Sequence, residues 1–494
     1  MKNIAQVKTG IVAVSRDCFP IELSRNRLAA VVKECKSQGL EISGLETVIE
    51  NEKDVLKALD EIQKKGINTL VIYLGNFGPE GPTTLLAQRF SGPVMFAAAA
   101  EEAAANAGLI SGRGDAYCGM LNASYNVGLR HLRPYIPEYP VGLPGEIVSK
   151  IKEFLPIART ILGLQKLKIF AFGPRPQDFL ACNAPIKPLY DLGVEIMENS
   201  ELDLYDIYRS AADSPEIGKV AEDMAKELGA GNSYPELLTK LAQYEVALTT
   251  FMQDNLGASQ YGVFANKCWP AFEKYFEFVP CYINSRLASR GIPVSCEVDI
   301  YGVLSEYIAT CATEKPATLL DINNTVPPDM YEEVKKINSG YKLTDLFMGF
   351  HCGNTPAVCL ANKQLKYQLI MHRLMEPDKE PDITRGTLEG QIAAGPVTVF
   401  RVQSTADTTL RAYIAQGEVI DIDPQSFGGI GVIAVKEMAR FYRHVLIEKR
   451  FPHHAGIAFK HVGRPLYAVL KMLGVTEVFH NQPEGMLYPS ENPF

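Results

Sequence analysis

No stretch of this sequence reaches the ~18 consecutive apolar residues that a membrane-crossing helix requires. The first apolar run, Gly10 to Val14, is short and leads straight into Arg16 and Asp17, which reads as a first strand and not as a secretion signal. Basic blocks are missing as well. The 49 Lys and Arg are dispersed among 57 Asp and Glu, for a net charge of −8, and no segment would neutralise a run of phosphates, so a nucleic-acid partner is not expected. The 10 Cys contain no C-x-x-C pair and no Cys/His comb of zinc-binding spacing, so reduced thiols and a cytoplasmic location are expected. Internal repeats and low-complexity tracts are absent too.

What is present is a long chain with apolar residues to spare. With 494 residues, 47% of them hydrophobic, one core would be too small, and two to four domains are expected. Residues 8–100 alternate short apolar runs ("TGIVAVS", "INTLVIYLG", "GPVMFAAA") with polar helical segments, the order of a parallel sheet wrapped by helices. A helical stretch at 143–163 then leads to "KLKIFAFG" and "GVEIMEN", which open a second such unit with long helices over 213–255. From 313 onward the texture turns β-rich: "TVFRVQ", "TLRAYIAQGEVID" and "GVIAVKE" read as strands, with Gln416-Gly417 as a turn. The expected architecture is therefore two doubly wound α/β domains, 1–165 and 166–312, followed by a β-rich mixed domain, 313–494. The charged segment 375–386 reads as an exposed loop.

Two acids stand out. Glu297 interrupts the apolar stretch "GIPVSCEVDIYG", and 24 positions on Asp321 ends the run "ATLLD" before Asn323 and Asn324. Each is read either as a helix cap or buried salt bridge, or as a ligand of a divalent ion whose charge lets neighbouring carboxylates stay ionised. Hard oxygen ligands with one imidazole suit Mn²⁺, Mg²⁺ or Co²⁺. Five of the 8 His fall in the last 51 residues, three of them in "FPHHAGIAFKHVG". His453 and His454 are adjacent, so on an extended segment only one of them is expected to face a site. "GIGVIA" at 429–434 lacks the strand and helix that frame a dinucleotide turn. Ser404 and Asp407 lack the strand–turn–helix setting of a nucleophile elbow.

Taken together, "ANKCWPAFEKYFEFVPC", "GIPVSCEVDIYG", "LLDINN", "FHCGNTP" and "HHAGIAFKHVG" resemble the L-fucose isomerase/L-arabinose isomerase family, in particular its fucose-isomerase-like branch. The resemblance spans essentially the whole chain. It implies a metal-dependent aldose–ketose isomerase in which Glu297, Asp321 and His454 bind Mn²⁺, with Mg²⁺ or Co²⁺ as alternatives, and the two acids move the proton. It leaves His461 outside the ligand set and makes His453 a non-ligand. Trp269 is read as a stacking face or a core residue, and His351 and Asn354 as partners of sugar hydroxyls, His351 alternatively as a further metal neighbour. Asn323 is placed among the substrate contacts. The resemblance further implies a homo-oligomer, often a hexamer, in which Arg16 and Asp17 act on a neighbouring subunit's site. The expected substrate is a fucose- or arabinose-type sugar, or a sulfonated, sulfoquinovose-like hexose whose anion would need Arg16, Arg25, Arg27 or Lys267. A non-catalytic sugar-binding or sensor protein is the competing reading.

Overall fold

The computed structural model describes residues 3–371, 375, 376, 378 and 384–494; half of the charged segment 375–386, expected as a loop, lies outside them. The chain divides into two units with separate cores. One comprises Ala5–Leu162 and Ala468–Gly474, the other Gly163–Tyr467 and Val475–Phe494 with the first few residues.

The N-terminal unit is built on a parallel sheet of order β2-β1-β3-β4-β5, where β1 is Thr9–Val14, β2 Ser43–Gly44, β3 Thr69–Leu74, β4 Val94–Ala99 and β5 Val141–Gly142. Every residue of β1, β3 and β4 is buried, the unbroken burial of a sheet covered on both faces, which is why these strands are continuous apolar runs without alternation. The helices are α1 (Ile21–Ser37), α2 (Glu52–Lys65), α3 (Glu80–Arg89), α4 (Ala116–Leu129) and α5 (Pro144–Leu164). α2 shows how local chemistry sets their ends. Asn51 and Asp54 form a capping box at its start, and Gly66 closes it at φ +63°.

In the second unit β6 (Leu167–Gly173), β7 (Glu195–Ser200), β8 (Tyr261–Ala265) and β9 (Val294–Ser295) form a parallel sheet of order β7-β6-β8-β9, with helices Glu216–Leu228 and Leu238–Asn255 in its connections. Next comes the helix Ile300–Thr313, buried at every position after Ile300 because Glu306 is its one charged side chain and it packs against strands of both sheets of its unit.

The remaining strands are β10 (Ala317–Asn324), β11 (Leu346–His351), β12 (Gln364–Tyr367), β13 (Arg385–Gln391), β14 (Gly395–Ser404), β15 (Leu410–Ile420), β16 (Gly429–Val435), β17 (His454–Ala458) and β18 (Glu477–His480). They form one mostly antiparallel sheet of order β12-β13-β16-β11-β10-β17-β14-β15-β18, and β15 also pairs with β16, so the strands from β16 to β15 close into a ring. Gln416-Gly417 is not a turn, as the sequence suggested. Both residues lie inside β15, opposite Thr398 and Val397, and Gly417 is there because a Cβ would run into the Ala434 carbonyl of β16. "GIGVIA" is strand β16.

Candidate active site

The candidate residues gather where strand ends of the two sheets of the second unit meet. Glu297 lies in the loop between β9 and the buried helix. It and Val298 are held in the left-handed region at φ +52° and +55°, a conformation that persists for such residues only where the surroundings enforce it. Here they do: the Val298 N–H donates to Asn266 O at 2.8 Å, the Asp299 N–H donates to Cys296 O at 3.0 Å, and Asn266 is locked to Asn284 by reciprocal amide bonds.

Asp321 is placed by register. On β10 it is the direct cross-strand partner of His454 on β17 and of Phe350 on β11, so His351 follows one residue further along. His454 Nε2 consequently stands 3.4 Å from Asp321 Oδ1 and 3.4 Å from Glu297 Oε2. His351 Nε2 is 3.7 Å from Glu297 Oε2, and His453 Nε2 is 3.8 Å from Asp321 Oδ1. Atoms of Asp321, His351 and His454 lie within 4.8 Å of one another.

Glu297 Oε2 and Asp321 Oδ1 are buried and accept no hydrogen bond. Orphaned carboxylate oxygens converging on one imidazole are costly unless a cation joins them. Ligand atoms around a divalent ion lie roughly 3 Å apart, close to the separations from His454. Electrostatics points the same way. Burial alone would push the His454 imidazole down, but Asp299, Cys182 and Glu297 around it pull it well above the ordinary value, so this spot favours positive charge. Burial likewise opposes ionisation of Glu297, yet His351 and His454 hold it below the usual carboxylate range. The donor set, two carboxylates and imidazole, fits a hard divalent ion.

The other face of His454 shows a residue whose role sequence reasoning did not assign. Asp299 Oδ2 is 2.8 Å from His454 Nδ1, and both its oxygens accept from Arg401, at 2.8 and 3.0 Å. The same carboxylate caps the buried helix by accepting from Gly302 N at 2.8 Å. Asp299 therefore fixes the His454 ring and directs Nε2 toward the two acids. Its signal was its place two residues after Glu297, before an apolar helix. Cys182, 3.6 Å from His454 Nδ1, and Phe179, whose ring lies against both histidines, gave no signal.

A cavity of about 580 Å³ opens on this cluster. Trp269, Asn323 and His351 line it with Glu297, Asp321, Phe179, Glu273, Phe350 and Gln368, and both His453 and His454 reach it, against the expectation that only one would. His453 precedes the first residue of β17, so strand alternation does not separate the pair. Lys267 and Asn354 are not among the lining residues. Lys267 is buried in an ion pair with Glu201 at 3.1 Å, and Asn354 donates to Val294 O at 3.5 Å. His461 contacts Gly417 O of β15. Arg16 belongs to the N-terminal unit, where it lies over Phe77 and 3.9 Å from Glu80. Arg25 pairs with Glu22, and Arg27 is held by Glu101 and Glu102.

Residues 10–165 match the family model described as "Fucose/sulfoquinovose isomerase, N-terminal domain", and residues 349–480 match "L-fucose isomerase, C-terminal domain". The chain is 23% identical to a sulfoquinovose isomerase of Priestia aryabhattai, over 95% of this chain and 98% of that one. It is 26% identical to a sulfoquinovose isomerase of Alkalicoccus urumqiensis over 68% of this chain and 70% of that one, and 28% identical to one of Clostridium sp. (strain MSTE9) over 60% and 61%. The two family models together span more than half of the sequence, and the chain belongs to the fucose isomerase-like family of sugar isomerases.

Proposed function

We propose that this aldose–ketose isomerase acts on a sulfonated hexose through a cis-enediol, with Glu297 and Asp321 as both metal ligands and proton-transfer groups and His454 as the third ligand. The observation that carries the chemistry is the pair of buried, hydrogen-bond-free oxygens, Glu297 Oε2 and Asp321 Oδ1, each 3.4 Å from His454 Nε2. A divalent ion, Mn²⁺ by the hardness of its ligands, with Mg²⁺ or Co²⁺ as alternatives, would polarise the substrate carbonyl and acidify the adjacent C–H.

The residues do the rest. One carboxylate takes the proton from C2 of the open-chain aldose, the enediol forms, and a proton is returned to C1 while the O2 hydroxyl proton moves to O1, which yields the ketose without net gain or loss of atoms. Asp299 and Arg401 hold His454 in place during this exchange. Trp269 and Phe350 give the cavity apolar walls that exclude water from the enediol, and Asn323 offers an amide to a sugar hydroxyl. The sulfonated substrate is supported by the names of the relatives, which match nearly end to end in the Priestia protein.

The test is aldose–ketose interconversion by EDTA-stripped protein, with and without Mn²⁺, over a panel of neutral, phosphorylated and sulfonated sugars, followed by NMR in D₂O. Ketose formation from a sulfonated hexose, dependent on Mn²⁺ and with deuterium entering at the exchanging carbon, is the expected result. Turnover of neutral sugars alone would reassign the substrate. Sugar binding without turnover at any metal concentration would replace the enzyme mechanism with a binding role.

A further inference from the structure

Cys268, Cys281 and Cys296 come together beside the cavity from separate stretches of the second unit. They belong to the loop after β8, the first residue of the helix Cys281–Ser289, and the residue that follows β9 and precedes Glu297. They pack with Val279 and Trp269, and none is more than 3% exposed. The thiols of Cys281 and Cys296 both hydrogen-bond the Cys268 side chain. Gln368 Nε2 bridges two of the sulfurs, 3.7 Å from Cys268 Sγ and 3.5 Å from Cys281 Sγ. A buried cysteine ordinarily serves as a small apolar side chain. This cluster differs in that Cys268 lines the cavity, where a small solute reaches it, while Cys281 and Cys296 are not among the lining residues. A reachable sulfur thus has further thiols in contact behind it, the placement of an attacking and a resolving cysteine.

We propose that Cys268 and Cys281 are a peroxide-sensitive switch, in which Cys268 is oxidised from the cavity and then closes a disulfide with Cys281. Hydrogen peroxide is small and neutral enough to enter by the route open to a sugar. The Cys268 sulfur attacks one peroxide oxygen, the O–O bond breaks, and one water leaves, so that Cys268 becomes a sulfenic acid. The Cys281 sulfur then attacks the Cys268 sulfur, the S–O bond breaks, and the departing hydroxide takes the remaining thiol proton as a second water. Two thiols lose two electrons and peroxide gains them. Hydrogen-bond donors around Cys268 favour the thiolate that the first step needs. Cys281 is the partner because the Gln368 amide holds its sulfur and that of Cys268 on one side. The bond of ~2.05 Å draws Cys268 away from Cys296, the neighbour of Glu297, and shifts Trp269 in the cavity wall. The loss of catalysis rests on the roles proposed above for Glu297 and Trp269; the bond itself does not.

The test is made on the full chain with Cys18→Ser and Cys118→Ser, which removes the two exposed thiols. Protein is treated with hydrogen peroxide, free thiols are alkylated in denaturant, and the linked peptides are mapped by mass spectrometry. Isomerase activity is followed in parallel. A Cys268–Cys281 disulfide that forms as activity falls, both reversed by dithiothreitol, is the expected result. Cys268→Ala should lose its own starting activity roughly tenfold more slowly in peroxide. Cys281→Ala leaves Cys268 to go on to the sulfinic acid, so dithiothreitol should no longer restore activity. Failure of the bond to form, its formation with Cys296 or Cys352 in place of Cys281, or full activity in the disulfide form overturns the inference. Because the bond is mapped without substrate, its absence leaves the isomerase reading standing, whereas absent turnover in the untreated protein overturns that reading alone.

Discussion

Asp299 serves three partners with one carboxylate: the Arg401 fork, the His454 ring and the first turn of the buried helix. Asp299→Asn keeps an acceptor for Gly302 but removes the charge, leaving a wholly buried guanidinium uncompensated and the His454 ring without its anionic anchor. Metal affinity and turnover should fall about 10–100-fold, and stability by about 3–5 kcal/mol, as read by Mn²⁺ titration and by urea denaturation. Glu297→Gln and Asp321→Asn differ in kind, since they remove the groups that move the proton. Turnover should vanish in both while the circular dichroism spectrum stays that of the wild type, and normal activity in either would remove that residue from the mechanism. Glu306, on the same buried helix, offers a pH test. Burial, with the charge of Asp299 adding to it, pushes its carboxyl well above the ordinary value of 4.5. The folded chain thus keeps a proton that the unfolded chain releases near pH 4.5, so Glu306 makes stability fall as pH rises from there toward its folded value. Glu306→Gln removes that dependence. Its urea midpoint should match the wild type near pH 4 and exceed it increasingly toward pH 7; a lower midpoint at pH 7 would mean that Glu306 is ionised and paired in the fold.

At the scale of elements, β15 shows how a long-range contact overrides a local signal. Gln-Gly between two β-like runs reads as a turn, yet the strand passes straight through, because β16 packs so closely that only glycine fits at 417. Gly417→Ala should therefore destabilise the second unit by about 1–3 kcal/mol, although alanine ordinarily suits a strand better than glycine; an unchanged melting temperature would show that β15 and β16 yield at this point. The same logic separates what the sequence disclosed from what it hid. Continuous apolar runs such as "TGIVAV" and "TLVIYL" marked β1 and β3 because parallel strands are buried on both faces. "LEISGLETV", between α1 and α2, has no such continuous run, and within it only Ser43–Gly44 forms a strand. Ring closure through β15 and β16 left no local trace. At the site, the acids were conspicuous because charge inside an apolar stretch needs a reason, and motif resemblance singled out His454. The Arg401–Asp299 pair was invisible, since its members lie 102 positions apart and arginine in a β-rich stretch is ordinary.

For the whole molecule, the decisive feature is that the candidate ligands come from separate elements of one unit: the strained loop after β9, the middle of β10 and the first residue of β17. An ion joining them binds only when all three are folded together, so its binding free energy adds to the stability of that unit and of nothing else. At a free concentration a thousandfold above the dissociation constant the gain is about 4 kcal/mol. The N-terminal unit has its own core and none of these ligands. Calorimetry of EDTA-stripped protein should therefore show Mn²⁺ raising a transition that belongs to the second unit while the transition of the N-terminal unit stays in place. Glu297→Gln with Asp321→Asn should abolish the shift, because the double variant lacks both carboxylates that would bind the ion. If Mn²⁺ raised the wild type and the double variant equally, the ion would be binding elsewhere, and the orphaned oxygens of Glu297 and Asp321 would need a different partner, a substrate hydroxyl being the next to test by the same titration with sugar in place of metal.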